Sequence, residues 1–147
     1  MGYISRVTGR ITVHPPVTIT SDNTKSRFLP DNAPPSGTAT SQIPNVVFVV
    51  EERPVDGYPG AFQRAVVGIE GRPADEFSYY DLEEHLEDAV RWVIYAGSEV
   101  SGRLVRIGSD QGDVARYRVA NDDTVPIEVE RAALRWPDGS PVTEAAR

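Results

Sequence analysis

The stretch that decides the fold is residues 78–98, SYYDLEEHLEDAVRWVIYAGS. Its apolar residues recur every three or four positions, the period of an α-helix with one buried face: Leu82, Leu86, Ala89 and Val93. Ser78 is placed to cap the start of this helix, and Gly97 is placed to end it. The pattern predicts one amphipathic helix that packs its apolar stripe against a sheet.

The same helix carries a dense group of carboxylates on the side away from the apolar stripe. These residues are Glu83, Glu84, Glu87 and Asp88. Because the stripe faces the sheet, the carboxylates are expected to point into water and to form an acidic face. This acidic face is the candidate surface for a protein partner.

The histidine of this helix, His85, is a candidate metal ligand, but the spacing of its neighbours does not favour a metal site. Asp81, His85 and Asp88 share one side of the helix, but the H-E-x-x-H and Glu-x-x-His spacings of helical metal sites do not occur. We interpret His85 as a boundary residue hydrogen-bonded to a neighbour. The sequence therefore assigns no metal, no cofactor and no catalytic residue.

Runs of alternating or β-branched residues on both sides of the helix predict six short strands. They are RVTGRITV at 6–13, NVVFVVEE at 45–52 and FQRAVVGIEG at 62–71, followed after the helix by GRLVRIG at 102–108, DVARYRVA at 113–120 and VPIEVERAALRW at 125–136. The second run is apolar without alternation, so it is expected at the centre of the sheet. The order βββαβββ predicts an α+β fold in which a curved antiparallel sheet of about six strands packs on one helix.

The length of 147 residues is typical of one domain. We expect a single α+β domain over residues 1–139 and a flexible C-terminal tail at 140–147. A segment rich in Pro, Ser and Thr at 20–44 is expected to be a long loop, with Phe28 and Leu29 as a local anchor on the core.

The net charge of −7 belongs to one part of the chain, because residues 70–99 hold nine acidic residues against two arginines and the remainder is balanced. A surface of this kind attracts basic proteins and repels the phosphates of nucleic acid. The chain has no cysteine, no apolar core of a signal peptide and no apolar run of bilayer length. These features predict a cytoplasmic protein that binds neither nucleic acid through the acidic face nor a membrane.

Two classes of function fit these residues. The first is a noncatalytic protein-interaction module that binds through the acidic face, with a homo-oligomer also open. The second is a small-molecule or nucleotide-binding domain, or a simple acid–base enzyme, with a pocket between helix and sheet. Its candidate residues are Tyr79, Tyr80, His85, Arg106, Arg116 and Arg118.

The three arginines of that candidate pocket have an alternative interpretation. Arg106, Arg116 and Arg118 are predicted to line one sheet face, where they could grip a phosphate. Ordinary cross-strand pairing with Glu128 and Glu130 is the competing and favoured expectation.

Several motifs resemble, in order and over nearly the whole chain, a family of small uncharacterised proteins from actinobacteria and their phages. They are MGY, VTGRITVHPP, RFLPD, VEERPVDG, YYDLEEHLEDAV, SGRL, GD and RWPDG. The chain differs from the family pattern after the GD at 112–113, where VARYR follows and family members tend to place a tryptophan. The resemblance implies no reaction and no site, but it does imply a setting: a phage accessory protein or a mobile bacterial gene, interacting with a host protein.

Overall fold

The computed structural model describes residues 4–35, 37–39, 42–73, 77–110, 112–132 and 136–138. Its elements are β1 (Ser5–Thr18), β2 (Val46–Pro54), β3 (Phe62–Gly71), α1 (Leu82–Tyr95), β4 (Glu99–Gly108), β5 (Val114–Val119) and β6 (Ile127–Arg131). The six strands form one antiparallel sheet in the order β2-β3-β1-β4-β5-β6. The predicted α+β class and the βββαβββ order are confirmed.

Strand β1 lies inside the sheet and is longer than its alternating pattern predicts. It continues past the predicted end at Val13, through Pro15 and Pro16, to Thr18. Its pairing with β4 ends at His14, and its pairing with β3 skips from Thr12 to Val17. The prolines therefore occupy the one part of β1 where the ladder requires no backbone N–H.

Strand β2 lies at the edge of the sheet, so the prediction that it is central is wrong. Its free side is covered by the loop at 20–44, because the Phe48 N–H donates to the Phe28 carbonyl oxygen over 2.8 Å. The Phe48 ring also contacts the rings of Phe28 and Trp92, with centroids 5.4 and 4.7 Å apart. The run VVFVV is apolar because a loop and a helix cover it, not because strands flank it on both sides.

The loop at 20–44 is held by a small network in its first half. Phe28 and Leu29 are buried, as predicted for an anchor, and a short 3-10 helix follows at Pro30–Asn32. The Asn32 side-chain amide donates to the carbonyl oxygens of Thr24 and Ser26, each over 2.8 Å. The predicted tail at 140–147 lies outside the described residues.

Helix α1 begins at Leu82, three residues later than an N-cap at Ser78 would place it. Asp81 takes the capping position, and its backbone N–H donates to the side-chain oxygen of Asn45 over 3.1 Å. The C-terminus matches the prediction: Gly97 has a φ of 91°, and its N–H and that of Ser98 close onto the last turn over 3.0 and 3.2 Å.

The core lies between α1 and one side of the sheet, which we call the inner face. Leu82, Leu86, Ala89, Val90 and Val93 of the helix are fully or almost fully buried there. The opposite side of the sheet, the outer face, is polar and exposed along β1 and β4. Residues directly opposite in a ladder share a face, so the register assigns each strand residue to one side.

Candidate functional site

A cleft of about 260 Å³ opens where the N-terminal end of α1 meets one end of the inner face. Its lining is contributed by four strands, β1, β4, β5 and β6, by the first turn of α1 and by the turns that precede α1 and β5. The residues are Ser5, Ser78, Tyr79, Tyr80, Glu83, Arg106, Asp113, Tyr117 and Arg131. The cleft therefore corresponds in place to the pocket expected between helix and sheet.

The floor of the cleft is an ion pair between Arg106 and Asp113. Arg106 donates from both terminal nitrogens to the two carboxylate oxygens of Asp113, over 3.0 and 2.9 Å. Ser5 accepts from the same guanidinium over 3.4 Å, and the Tyr117 hydroxyl lies 3.5 Å from its Nε. The hydrogen bond with Asp113 raises the pKa of Arg106, although burial opposes it. The floor thus carries a fixed, oriented ion pair whose opposite charges cancel.

Tyr79 forms a wall of the cleft and has an unusual backbone. Its φ of 53° is positive, a conformation that residues other than glycine rarely adopt. Its hydroxyl donates to the carbonyl oxygen of Arg72, and its ring contacts Phe77 edge-on with centroids 4.8 Å apart. Burial raises the pKa of the Tyr79 hydroxyl, so this group stays protonated as a donor.

The rim of the cleft is exposed and combines an aromatic ring with a charge pair. Tyr80 is 70% exposed. Across from the turn, Glu83 of α1 and Arg131 of β6 approach to 3.5 Å with about half of each side chain in water. Among the described residues of the lining, two arginines stand against two carboxylates, so their formal charges sum to zero.

His85 lies outside the lining of the cleft, although it was a candidate pocket residue. It is 7% exposed, and its Nδ1 accepts the backbone N–H of Asn45 over 2.9 Å. Burial, helped by the nearby charge of Arg27, lowers the pKa of His85, while Asp81 and two helix carboxylates oppose that shift. A neutral imidazole that accepts a hydrogen bond joins α1 to the start of β2.

Arg116 and Arg118 lie on the outer face, so the prediction that they share a sheet face with Arg106 is wrong. The register explains the separation: Arg106 stands opposite Ala115, which makes Arg116 and Arg118 point to the other side. Each pairs across the strands, Arg116 with Glu130 and Arg118 with Glu128, the latter over 2.9 Å. The favoured expectation of cross-strand pairing is confirmed for these two residues.

The acidic face of α1 is largely paired with arginines of the same chain. Asp88 contacts Arg27 over 2.8 Å, Glu87 contacts Arg91 over 3.4 Å, and Glu83 is shared with the cleft. Glu84 is exposed and makes no ion pair within the described residues. Among those residues, no three histidine, aspartate or glutamate side chains are grouped as a metal site would require.

Six residues of the cleft were not predicted as pocket residues: Ser5, Ser78, Glu83, Asp113, Tyr117 and Arg131. The strand parity holds part of the signal, because Arg106 alternates in phase with Leu104 and is therefore directed inward. A charged residue at an inward position requires a partner. Asp113 follows the β4–β5 turn and is the acid nearest in sequence on that side, which identifies it as the candidate.

The chain belongs to a family of unknown function, DUF6205, whose model matches residues 1–144. No curated protein and no solved structure matches the chain. None of the helices in the described part of the chain has the length and apolar character needed to cross a membrane.

Proposed function

We propose that the chain is a noncatalytic binding protein and that the cleft at the end of the inner face is its ligand site. The observation that carries this proposal is the doubly hydrogen-bonded Arg106–Asp113 pair on the cleft floor. Burying such a pair costs desolvation energy that an apolar pair would not incur. Groups held in one geometry at a concave surface are what recognition of a polar ligand needs.

The ionisable groups of the cleft favour binding over proton transfer. Arg106 has a raised pKa and remains charged, and the Tyr79 hydroxyl has a raised pKa and is already bonded to the Arg72 carbonyl oxygen. A general acid or base works best with a pKa near the operating pH. The pKa values of Arg106 and Tyr79 are both shifted further above neutral pH, so neither group is suited to act as a general acid or base.

The size and charge of the cleft define the ligand class. A volume of about 260 Å³ is just below the lower end of the range for small-molecule sites, roughly 300 Å³. Balanced positive and negative lining suits a small zwitterion or a neutral polar compound better than a nucleotide with several phosphates. The exposed Tyr80 ring offers a stacking surface for a planar group.

The test compares two tyrosines of nearly equal exposure, Tyr80 at 70% and Tyr95 at 72%. Tyr80→Ala removes the rim of the cleft, and Tyr95→Ala removes a ring that is 72% exposed at the far end of α1. A panel of amino acids and nucleosides is screened by thermal shift, and hits are measured by calorimetry. We expect a hit that binds the wild type and Tyr95→Ala equally and Tyr80→Ala about tenfold more weakly, for the loss of one stacking contact. A panel without hits, or hits indifferent to Tyr80→Ala, would refute the proposal.

A second candidate function is binding of a basic protein through the acidic face, in the setting of a phage accessory protein. Glu84 favours it, because this exposed carboxylate is not neutralised by an arginine among the described residues. Glu84→Gln should weaken capture of an actinobacterial partner, more at low salt than at high salt. Glu99→Gln, at an exposed site on β4, is the matched control. Equal capture by both variants would remove the acidic face from this role.

A further inference from the structure

Three arginines stand side by side on the outer face of the sheet. Arg10 of β1 is directly opposite Arg103 of β4, and Arg103 is directly opposite Arg118 of β5. Like charges in directly opposed positions of an antiparallel ladder are destabilising. The arrangement therefore requires a compensating group.

Acidic neighbours neutralise the two arginines at the ends of this row, Arg10 and Arg118, but not the central Arg103. Arg10 contacts Glu70 over 2.7 Å, and Arg118 contacts Glu128 over 2.9 Å. Arg103 is exposed and makes no ion pair or side-chain hydrogen bond within the part of the chain that the structure describes. The centre of the outer face thus carries one uncompensated guanidinium between two others.

Arg103 also borders a depression of about 390 Å³ on this side of the sheet. Its lining joins charged side chains to an apolar floor: Arg103, Arg116, Glu130 and Arg131 with Val105, Val114 and Ala132. Arg131 also lines the cleft, where it contacts Glu83 over 3.5 Å, so the described charges that belong to the outer face alone are Arg103 and Arg116 against Glu130, a balance of +1. This balance differs from the neutral cleft on the inner face.

Arg116 supplies a second observation that points to an anion. Its guanidinium contacts Glu130 through Nη2, while its Nε is buried and has no hydrogen-bond partner. A buried donor without an acceptor is costly. An oxyanion against the Nε edge, reached by a small rotation of this half-exposed side chain, would satisfy that donor.

We propose that the depression binds a small organic oxyanion, with a phosphate or carboxylate head held by Arg103 and Arg116. Arg103 and Arg116 occupy diagonal positions on β4 and β5, because Arg116 is opposite Val105. Diagonal neighbours are separated by roughly 7–8 Å, so two long side chains can close on one head group. The body of the ligand lies on Val105 and Val114.

The test uses phenyl phosphate, inorganic phosphate, benzoate and phenol as probes of the full chain, by calorimetry and amide chemical shifts. We expect phenyl phosphate and benzoate to bind more tightly than inorganic phosphate or phenol, since only they carry both head and apolar body. Arg103→Gln should weaken binding about tenfold for one charge-assisted contact. Binding should also fall at about 1 M salt, where charges beyond ~3 Å are screened.

Two controls separate this site from other surfaces. Arg53→Gln removes an exposed arginine of β2 and should leave binding unchanged, as should Tyr80→Ala in the cleft. Arg103→Gln should keep the melting temperature of the free protein or raise it, because it relieves the like-charge row. Absence of phenyl phosphate binding at millimolar concentration, or equal binding by Arg103→Gln and Arg53→Gln, would overturn the proposal. Binding of inorganic phosphate as tight as that of phenyl phosphate would overturn the role of the apolar floor.

Discussion

Replacing Phe28 by alanine tests whether the loop at 20–44 is part of the core. The ring is 4% exposed, packs on Phe48 and lies under the guanidinium of Arg27, 4.8 Å from the ring centroid. Truncation of a buried phenylalanine costs about 3–5 kcal/mol. A loop can collapse into the gap more easily than a strand can, so we expect about 3 kcal/mol. For a chain of this length that corresponds to a fall of roughly 6–12 °C in melting temperature.

The assay is urea unfolding followed by circular dichroism, with thermal unfolding as a second measure. Tyr58→Ala is the control, because Tyr58 is an exposed ring in the turn between β2 and β3. Its effect should remain within about 0.5 kcal/mol. Phe28→Leu should recover most of the loss, since it keeps an apolar group in the site. If Phe28→Ala unfolds at the wild-type urea concentration, the loop contributes nothing to the core and the reasoning fails.

Three further perturbations address the cleft, the helix contact and the strand register. Burial lowers the pKa of His85, so the neutral imidazole stabilises the folded protein fully above the unfolded pKa of about 6.5, and this stabilisation is lost as the pH falls through the folded pKa. Between about pH 7.5 and 5, the melting temperature should therefore fall less for His85→Gln than for the wild type or for the control His14→Gln. Asp113→Asn should destabilise by about 1–3 kcal/mol in urea unfolding, because it leaves Arg106 without its carboxylate; an unchanged midpoint would show that water replaces the pair. Gly102→Ala should lower the free energy of unfolding by about 1–3 kcal/mol, because Gly102 has a φ of 110° and an added Cβ would stand 2.7 Å from the carbonyl oxygen of Arg10 in β1. The control Ser101→Ala, at the neighbouring exposed position, should leave the free energy of unfolding unchanged.

Local sequence patterns predict the helix and strands of this fold, but they do not predict which distant residues contact these elements. The helical period predicts α1, and Gly97 predicts its end, because both signals depend only on residues within or next to the helix. The start of α1 depended on Asn45, whose side chain accepts from the Asp81 N–H across 36 residues of sequence. The edge position of β2 depended on Phe28, which lies in a loop without strand character. Both failures concern partners that are distant in sequence.

The residues of the candidate site show the same difference between local patterns and distant contacts. Tyr79, Tyr80 and Arg106 were identified as pocket residues from their places beside the helix and in β4, and the cleft contains all three. The prediction that Arg116 and Arg118 share a face with Arg106 is wrong because the register of β4 and β5 directs these two side chains to the opposite side. The acidic face was interpreted by local spacing, which cannot reveal that Arg27 reaches Asp88 across 61 residues.

The backbone hydrogen bond from Phe48 to Phe28 has a consequence for colloidal behaviour. An uncovered edge strand is a template for pairing with another chain, and VVFVV is a short, uncharged, β-branched run of the kind that forms intermolecular sheets. The loop at 20–44 occupies the place where such pairing would start. Detachment of this loop from β2 would therefore expose a segment suited to aggregation even while the sheet remained folded.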